Sequence, residues 1–494
     1  MQDNFLKNAP ASENFTFTSR HVLLWTENTS FLSRLHNLQP DTDENPRSAF
    51  VRRKSGDNWE PKDTSMALLQ ASAQAASAAP APLLAHQAKL ALDTGNAAWM
   101  IVATALVLFM TLPGLALFYG GMVRKKNVLA TLAQSVAVTV IVTVLWVIVG
   151  YTLSFGVGPN PGWQAVLGSF DAFMLHGVTT STAYSAAPAL PEYLWIAYQM
   201  TFAIITPALI AGSIAERMKF SAFCLFIALW SLVVYAPVCH WVWGGGFLGK
   251  LGVLDFAGGS VVHVNSGVAG LVAALVLGKR KGFGRDNMAP HNLGYTMIGG
   301  SMLLVGWIGF NAGSEWAADG IASVAMLNTI VATMTGAIGW IIPEWIERKQ
   351  PTLLGMISGM VAGLVAITPA AGFVDPTGGL IIGFAGGLVC YFSSTYIKNL
   401  FKYDDSLDAF GVHGVGGFTG AVLTGIFATT TINPAAAGHS VLKQLLGLGA
   451  VIVWSAVMTF LILMICKYTT GLRVTEEEEI EGLDTSQHGE MLHG

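Results

Sequence analysis

The chain has 494 residues, of which 53% are hydrophobic and only 11% charged. A soluble globular protein of this length carries more charge, so the composition places the chain in a membrane. The net charge of −4 gives no support to a nucleic-acid partner. The apolar stretches are too long and too unbroken for barrel strands, which run about ten residues with alternation. The expected class is an all-α polytopic membrane protein.

Residues 1–94 differ from the rest, with one of the 55 glycines but nine of the 26 basic residues. An Ala/Ser/Pro run follows from Ala71 to Pro82. This composition predicts an extension without a core of its own, disordered or removed by processing. Met66 opens a weak signal-peptide-like run, interrupted by Gln70 and Gln74. Residues 95–467 form the transmembrane domain on this reading, and 468–494 a cytoplasmic tail.

Eleven apolar segments of spanning length follow, at 97–120, 128–153, 195–215, 221–241, 256–278, 292–312, 319–341, 353–372, 379–397, 409–429 and 444–467. The odd-numbered connections and the tail carry 15 basic residues, from Arg124 to Arg473. The alternate connections carry two, Lys250 and Lys443. The positive-inside rule then puts the N-terminus outside and the C-terminus inside. The basic extension conflicts with that orientation, which favours processing or a misassigned start over a folded domain there.

Two histidines lie well inside these segments, His263 and His413. Their contexts, GGSVVHVNSGVAGLVAAL and FGVHGVGGFTGAVLTG, align without a gap. Each follows a Val and precedes a Gly by seven residues (Gly270, Gly420). An ionisable group at membrane depth is costly and normally marks a substrate or proton path. A matched pair indicates that two halves contribute equivalent groups to one site, so segments one to five and six to ten read as inverted repeats with the eleventh added. Glycines at helical spacing put both imidazoles on small-residue stripes where helices pack closely. The bland alternative is a pair of packing residues bonded to carbonyls. The four cysteines (Cys224, Cys239, Cys390, Cys466) have no metal or redox spacing and read as packing residues.

Aromatic-bearing stretches lie near predicted outer helix ends: YQMTF with Tyr198 and Phe202, HWVWGGG with Trp241 and Trp243, and GWIGFNAGS with Trp307, Phe310 and Ser314. No carboxylate lies mid-membrane; Asp255, Glu315 and Asp319 are all at the edge. A cation here must be held by ring faces and neutral oxygens, each ring face contributing about 0.5–2 kcal/mol.

DFAGGSVVHVNSGVAGLVAAL, WIGFNAGS and DDSLDAFGVHGVGG resemble the signatures of the ammonium transporter family, the Amt/Mep/Rh group. PGLALFYGGMVRKKNVL, FAIITPALIAGSIAERMKF and HWVWGGG add to the likeness, which runs from about residue 97 to 490 and is nearer the bacterial Amt branch. The resemblance implies a homotrimer in the plasma or inner membrane with one pore per subunit. It implies an outer ammonium site of Trp243 and Ser314 with Phe202 and Tyr198, supported by Asp255. Phe202 and Phe310 become stacked gating rings, and His263 and His413 the twin histidines. Asp255 also reads simply as the cap of the fifth span.

Ammonium and potassium share size and charge, but only ammonium can shed a proton and cross an apolar path as a neutral molecule. A neutral imidazole offers one donor and one acceptor, which suits a lining for ammonia or a proton relay. No enzyme motif (GxSxG, HExxH or paired membrane carboxylates) is present, and no cofactor or metal is expected. The run Glu476–Glu479 reads as a solvated face. GLRV, EEEEIEGLD and HGE nonetheless resemble the family tail that docks PII-type signal proteins. The alternative function is an ammonium sensor signalling through that tail.

Overall fold

The computed structural model describes residues 87–492. The expected extension up to residue 86 lies outside them, but its last residues have structure. Strand β1 (Gln87–Lys89) pairs antiparallel with β2 (Thr182–Tyr184), Ala88 facing Ala183. Asp93 then caps the first helix by accepting from Asn96 N at 2.8 Å. The boundary expected at residue 94 falls at the start of that helix, and the three-residue strand before it leaves no hydropathy signal.

Every expected apolar segment falls on a helix. In chain order they are α1 (Thr94–Met122), α2 (Lys125–Phe155), α3 (Glu192–Ile214), α4 (Phe220–Leu251), α5 (Gly259–Leu277) and α6 (Leu293–Glu315). These are followed by α7 (Gly320–Arg348), α8 (Leu353–Ile367), α9 (Pro376–Phe401), α10 (Phe410–Phe427) and α11 (Val441–Thr469). Ten of them, among the described residues, are long and apolar enough to cross a membrane. The eighth segment differs from expectation: α8 has 15 residues, then residues 368–373 turn. At 1.5 Å per residue it reaches about 22 Å, short of a hydrocarbon core of about 30 Å.

Polar residues at the predicted boundaries start these helices. Asn292 accepts from Tyr295 N before α6, Asp319 from Ile321 N and Ala322 N before α7, and Asp375 from Gly378 N before α9. Small residues then set how closely the helices pack. A Cβ on Gly387 would lie 2.0 Å from Gly336 O, and one on Gly363 2.1 Å from Ala332 O, so α7, α8 and α9 touch backbone to backbone. Helix α3 is buried along nearly its whole length.

Of the run Glu476–Glu479, Glu476 and Glu477 are exposed, as a solvated face requires, but Glu479 is buried and the tail is docked. After α11 the chain forms α12 (Glu476–Glu481) and α13 (Leu483–His488), laid against the first, third and fifth connections. Glu479 is buried, paired with Arg473 at 2.6 Å, and accepts from Lys281 N. Asp484 accepts from Ala130 N at 2.8 Å, Asn127 accepts from Leu483 N at 2.9 Å, and Lys219 N donates to Leu472 O. Gly482, at φ 111°, passes so near Lys126 that a Cβ would lie 2.6 Å from that backbone oxygen. The acidic run looked solvated because Lys281, which meets Glu476 and Glu479, is remote in sequence.

Candidate functional site

The two histidines meet. Each sits in a π-helical turn at the start of its helix, Gly259–Val264 in α5 and Phe410–Gly414 in α10. These turns cross where Gly267 faces Gly414: a Cβ on Gly267 would lie 2.2 Å from Gly414 N. A Cβ on Gly417 would lie 2.8 Å from Gly259 O. Only glycines allow that approach. It leaves the imidazoles nearly parallel, with centroids 5.3 Å apart, an interplanar angle of 20°, and Nδ1 to Nδ1 at 3.3 Å. One nitrogen must donate and the other accept, so each ring's Nδ1 is committed to its partner. His263 Nε2 has no protein partner, and the ring stacks on Trp307 at 5.4 Å.

The turns are closed in matching ways. Asp255 lies eight residues before His263, as Asp405 lies before His413. The Asp255 carboxylate accepts from the backbone N–H groups of Gly258, Gly259, Ser260 and Val261 and from the Ser260 hydroxyl. Burial pushes this carboxyl up, while those donors pull it down. Asp405 accepts from Ala409 N and Phe410 N and from the Ser213 hydroxyl. The capping reading of Asp255 is thus the observed geometry, and its backbone carbonyl also accepts from Trp243 Nε1 at 2.9 Å.

Above the pair, a cavity of about 420 Å³ is lined by Phe202, Trp243, Asp255, Ser314 and Glu315, together with Gln199, Trp316, Phe373 and Asn433. Trp243 stands edge-on to Phe202 at 5.7 Å and 88°. Ser314 donates to Phe310 O at 2.8 Å, leaving its oxygen lone pairs. Tyr198 does not line this cavity. It is fully buried behind Phe202, with its hydroxyl 3.0 Å from the carbonyls of Gly309 and Phe310 and 3.3 Å from Ser314 Oγ. It fixes α6 and the serine from behind.

The floor is the Phe202–Phe310 stack, at 4.3 Å and 25°. Below it lies an enclosed space of about 10 Å³, near the threshold for one water-sized molecule. It is lined by Ile205, Leu209, Leu303 and Trp307 with Phe310 and both histidines. His413 then borders a larger cavity of about 720 Å³ that reaches Glu344, Lys398 and Asp408. Two vestibules are therefore separated by a ring stack and an apolar constriction containing the imidazoles.

Sequence reasoning missed Gln199, whose buried Oε1 finds no protein donor although the residue lines the outer cavity. Its signal was available: Gln199 is the one side-chain amide in that span, placed between Tyr198 and Phe202. A third buried histidine, His240, also lies inside a span because α4 runs on to Leu251. Its nitrogens lie 2.9 and 2.8 Å from Ser154 O and Gln164 O, so it pins the second connection.

The fold and site define a polytopic helical membrane protein with two vestibules joined through a narrow apolar constriction. Residues 98–493 match the Ammonium Transporter Family model, and the chain belongs to that family. It is 49% identical over 411 residues to an ammonium transporter of Bacillus subtilis (strain 168), covering 81% of this chain and 99% of that protein. Against an ammonium transporter of Aquifex aeolicus (strain VF5) it is 49% identical over 424 residues, covering 83% and 96%. Among solved structures it is similar to Mep2 of Saccharomyces cerevisiae, with TM-score 0.71, 34% identity, and coverage of 78% and 91%. It is also similar to a structure titled Sensor Amt Protein, with TM-score 0.73, 29% identity, and coverage of 80% and 98%. The chain is a multi-pass plasma-membrane protein of a transporter family rather than an enzyme family.

Proposed function

We propose that this chain carries ammonium across the membrane by binding it as a cation and passing it as neutral ammonia. The single observation that carries the reading is the imidazole pair set in an apolar constriction between two vestibules. Ammonium enters the outer cavity, where the faces of Trp243 and Phe202 and the Ser314 oxygen take the place of water. Tyr198 and Asp255 hold those groups from behind. The Phe202–Phe310 stack opens by ring motion. The space beneath is costly for a bare ion but open to a small neutral amine, so the proton is left before the constriction. The neutral histidines line the path, each able to accept from or donate to ammonia, and the proton takes a separate route. Potassium has no proton to leave, which makes the filter chemical rather than steric.

Eleven crossings follow if α8, with its turn, completes a span. The matched turns of α5 and α10, each with a capping aspartate, support a 5+5 inverted repeat. The basic connections put the C-terminus inside. The protein assembles as a homotrimer with one pore per subunit, and a PII-type protein docks at the tail.

The test is electrical recording from proteoliposomes given an ammonium pulse, with potassium as control. A current or internal pH change with ammonium and none with potassium is expected; equal responses to both ions would sink the reading. A second reading, ammonium sensing through the tail, draws on the likeness to the Sensor Amt Protein structure and on the docked α12 and α13. Deleting residues 468–494 separates the two roles: transport with normal selectivity but reduced flux and no PII binding is expected. Retained PII binding would remove the docking role, and full flux the coupling role.

A further inference from the structure

The outer cavity holds two carboxylates in opposite situations. Among the described residues that line it are Asp255 and Glu315, and no Lys, Arg or His. Asp255 is closed off: five donors from its own turn fill its two oxygens, leaving little for an occupant. Glu315 is half-buried and open. Its carboxylate has neither a hydrogen-bond donor nor a basic partner among the described residues. The charge it faces belongs to another acid, Asp319, whose own carboxylate caps α7 through Ile321 N and Ala322 N. A concave surface carrying one sign of charge concentrates the opposite ion.

The backbone around Glu315 holds it in this position. Helix α6 ends in a tight turn, Gly313–Glu315, and the next residue, Trp316, stands at φ 64°, a left-handed conformation that costs an L-residue. The Trp316 indole meets Trp195 edge to face at 4.6 Å and 80°. Two residues on, Ala318 N donates to Asn96 Oδ1 at 2.9 Å, so the turn is clamped on both sides of the strained residue. The same cavity is lined by Gln199, only 3% exposed, whose buried Oε1 has no protein donor. A buried acceptor left open is costly unless an occupant supplies an N–H or a positive charge. An anion suits neither Glu315 nor that oxygen. A small cation with N–H donors suits both.

We propose that Glu315 is the charge partner of the cation in the outer cavity and that Gln199 accepts one of its N–H groups. This rests on the ammonium reading above and assigns two further specificity-determining residues to it. Glu315 attracts any small cation, so potassium should compete at the mouth although it does not pass. Ammonium uptake into proteoliposomes is measured with potassium chloride or the bulky N-methylglucamine chloride outside, at equal ionic strength. In the unaltered protein potassium should raise the half-saturating ammonium concentration above its value in N-methylglucamine. Glu315→Gln keeps the shape and removes the charge. It should raise that concentration about fivefold and cancel the excess effect of potassium. Gln199→Leu removes the acceptor and should raise it about tenfold. Calorimetric titration of the purified full-length proteins with ammonium chloride reads binding apart from transport. Binding that weakens in Glu315→Gln, in a protein that shows no uptake, would sink the transport reading and support this one. An unchanged half-saturating concentration or an unchanged potassium effect in Glu315→Gln would overturn the proposal. Unchanged ammonium affinity in Gln199→Leu would overturn the acceptor role.

Discussion

The turns bearing His263 and His413 are built alike and anchored differently. Each is a π-helical turn closed by an aspartate eight residues before its histidine. Asp255 draws all five of its donors from its own turn. Asp405 takes two from its turn and one from Ser213 on α3. Beyond Asp255 lie aromatic faces. Beyond Asp405 lies a buried ionic lattice, in which Arg280 bridges Glu216 and Asp404, and Arg124 also meets Glu216. Burial alone would raise the Glu216 and Asp404 carboxyls, but these guanidinium groups hold both below their ordinary range. The first turn is a self-contained unit facing an aromatic-lined cavity. The second is tied into the connections on which the tail rests. One device thus serves two environments, and the chemistry at each end is set by what surrounds the turn.

The comparison breaks first at the crossing glycines. Gly267→Val should abolish transport and most folded protein, because its Cβ meets the Gly414 backbone, which cannot move aside as a side chain could. Gly320→Ala on α7, where a Cβ meets nothing within 4 Å, is the control and should leave both unchanged. Yield and melting temperature in detergent, read together with uptake, decide this.

Next come the imidazoles. His263→Asp or His413→Asp should admit potassium, since a fixed carboxylate stabilises a bare ion where neutral imidazole does not. Potassium uptake or current in each variant is the measurement, and exclusion retained by both would remove the filter role.

The caps sharpen the comparison. Asp255→Ala and Asp405→Ala should each destabilise by about 1.5–3 kcal/mol, the former more because its carboxylate accepts more bonds. Denaturation midpoints test this, and equal losses would show that the anchoring difference carries no energy. The smallest effect belongs to the mouth. Trp243→Leu should raise the half-saturating ammonium concentration two- to about thirtyfold, the equivalent of losing about 0.5–2 kcal/mol from one ring face. An unchanged concentration dependence would exclude Trp243 from the site.

Much of this was legible in the chain. Hydropathy found each helix from α1 to α11, since an uninterrupted apolar run is a strong signal, and among these it failed mainly at α8, where the run continues past the helix into a turn. The meeting of His263 and His413 was legible because their glycine contexts repeat. Asp405 was not recognised as the counterpart of Asp255, because Asp404, Asp405 and Asp408 compete for the role in one short stretch. Tyr198 was placed with the site by the family resemblance. Only geometry distinguishes a ring that faces a cavity from one that braces it. The docked tail was illegible for a related reason: Glu479 and Asp484 find partners some 200 to 350 residues away in the chain.

A single hydrogen bond between two identical atoms has a direction. With Nδ1 of one histidine donating to Nδ1 of the other, one outer nitrogen is bare and the other carries hydrogen. A proton that enters at the bare end and leaves from the opposite end reverses this polarity. The same passage cannot then be repeated until both rings have turned over or a proton has come back. The indole of Trp307, stacked on His263, opposes such turning. As a proton wire, the pair would carry a memory of its last event and require resetting after each one. A neutral molecule sliding past the rings leaves the polarity as it was.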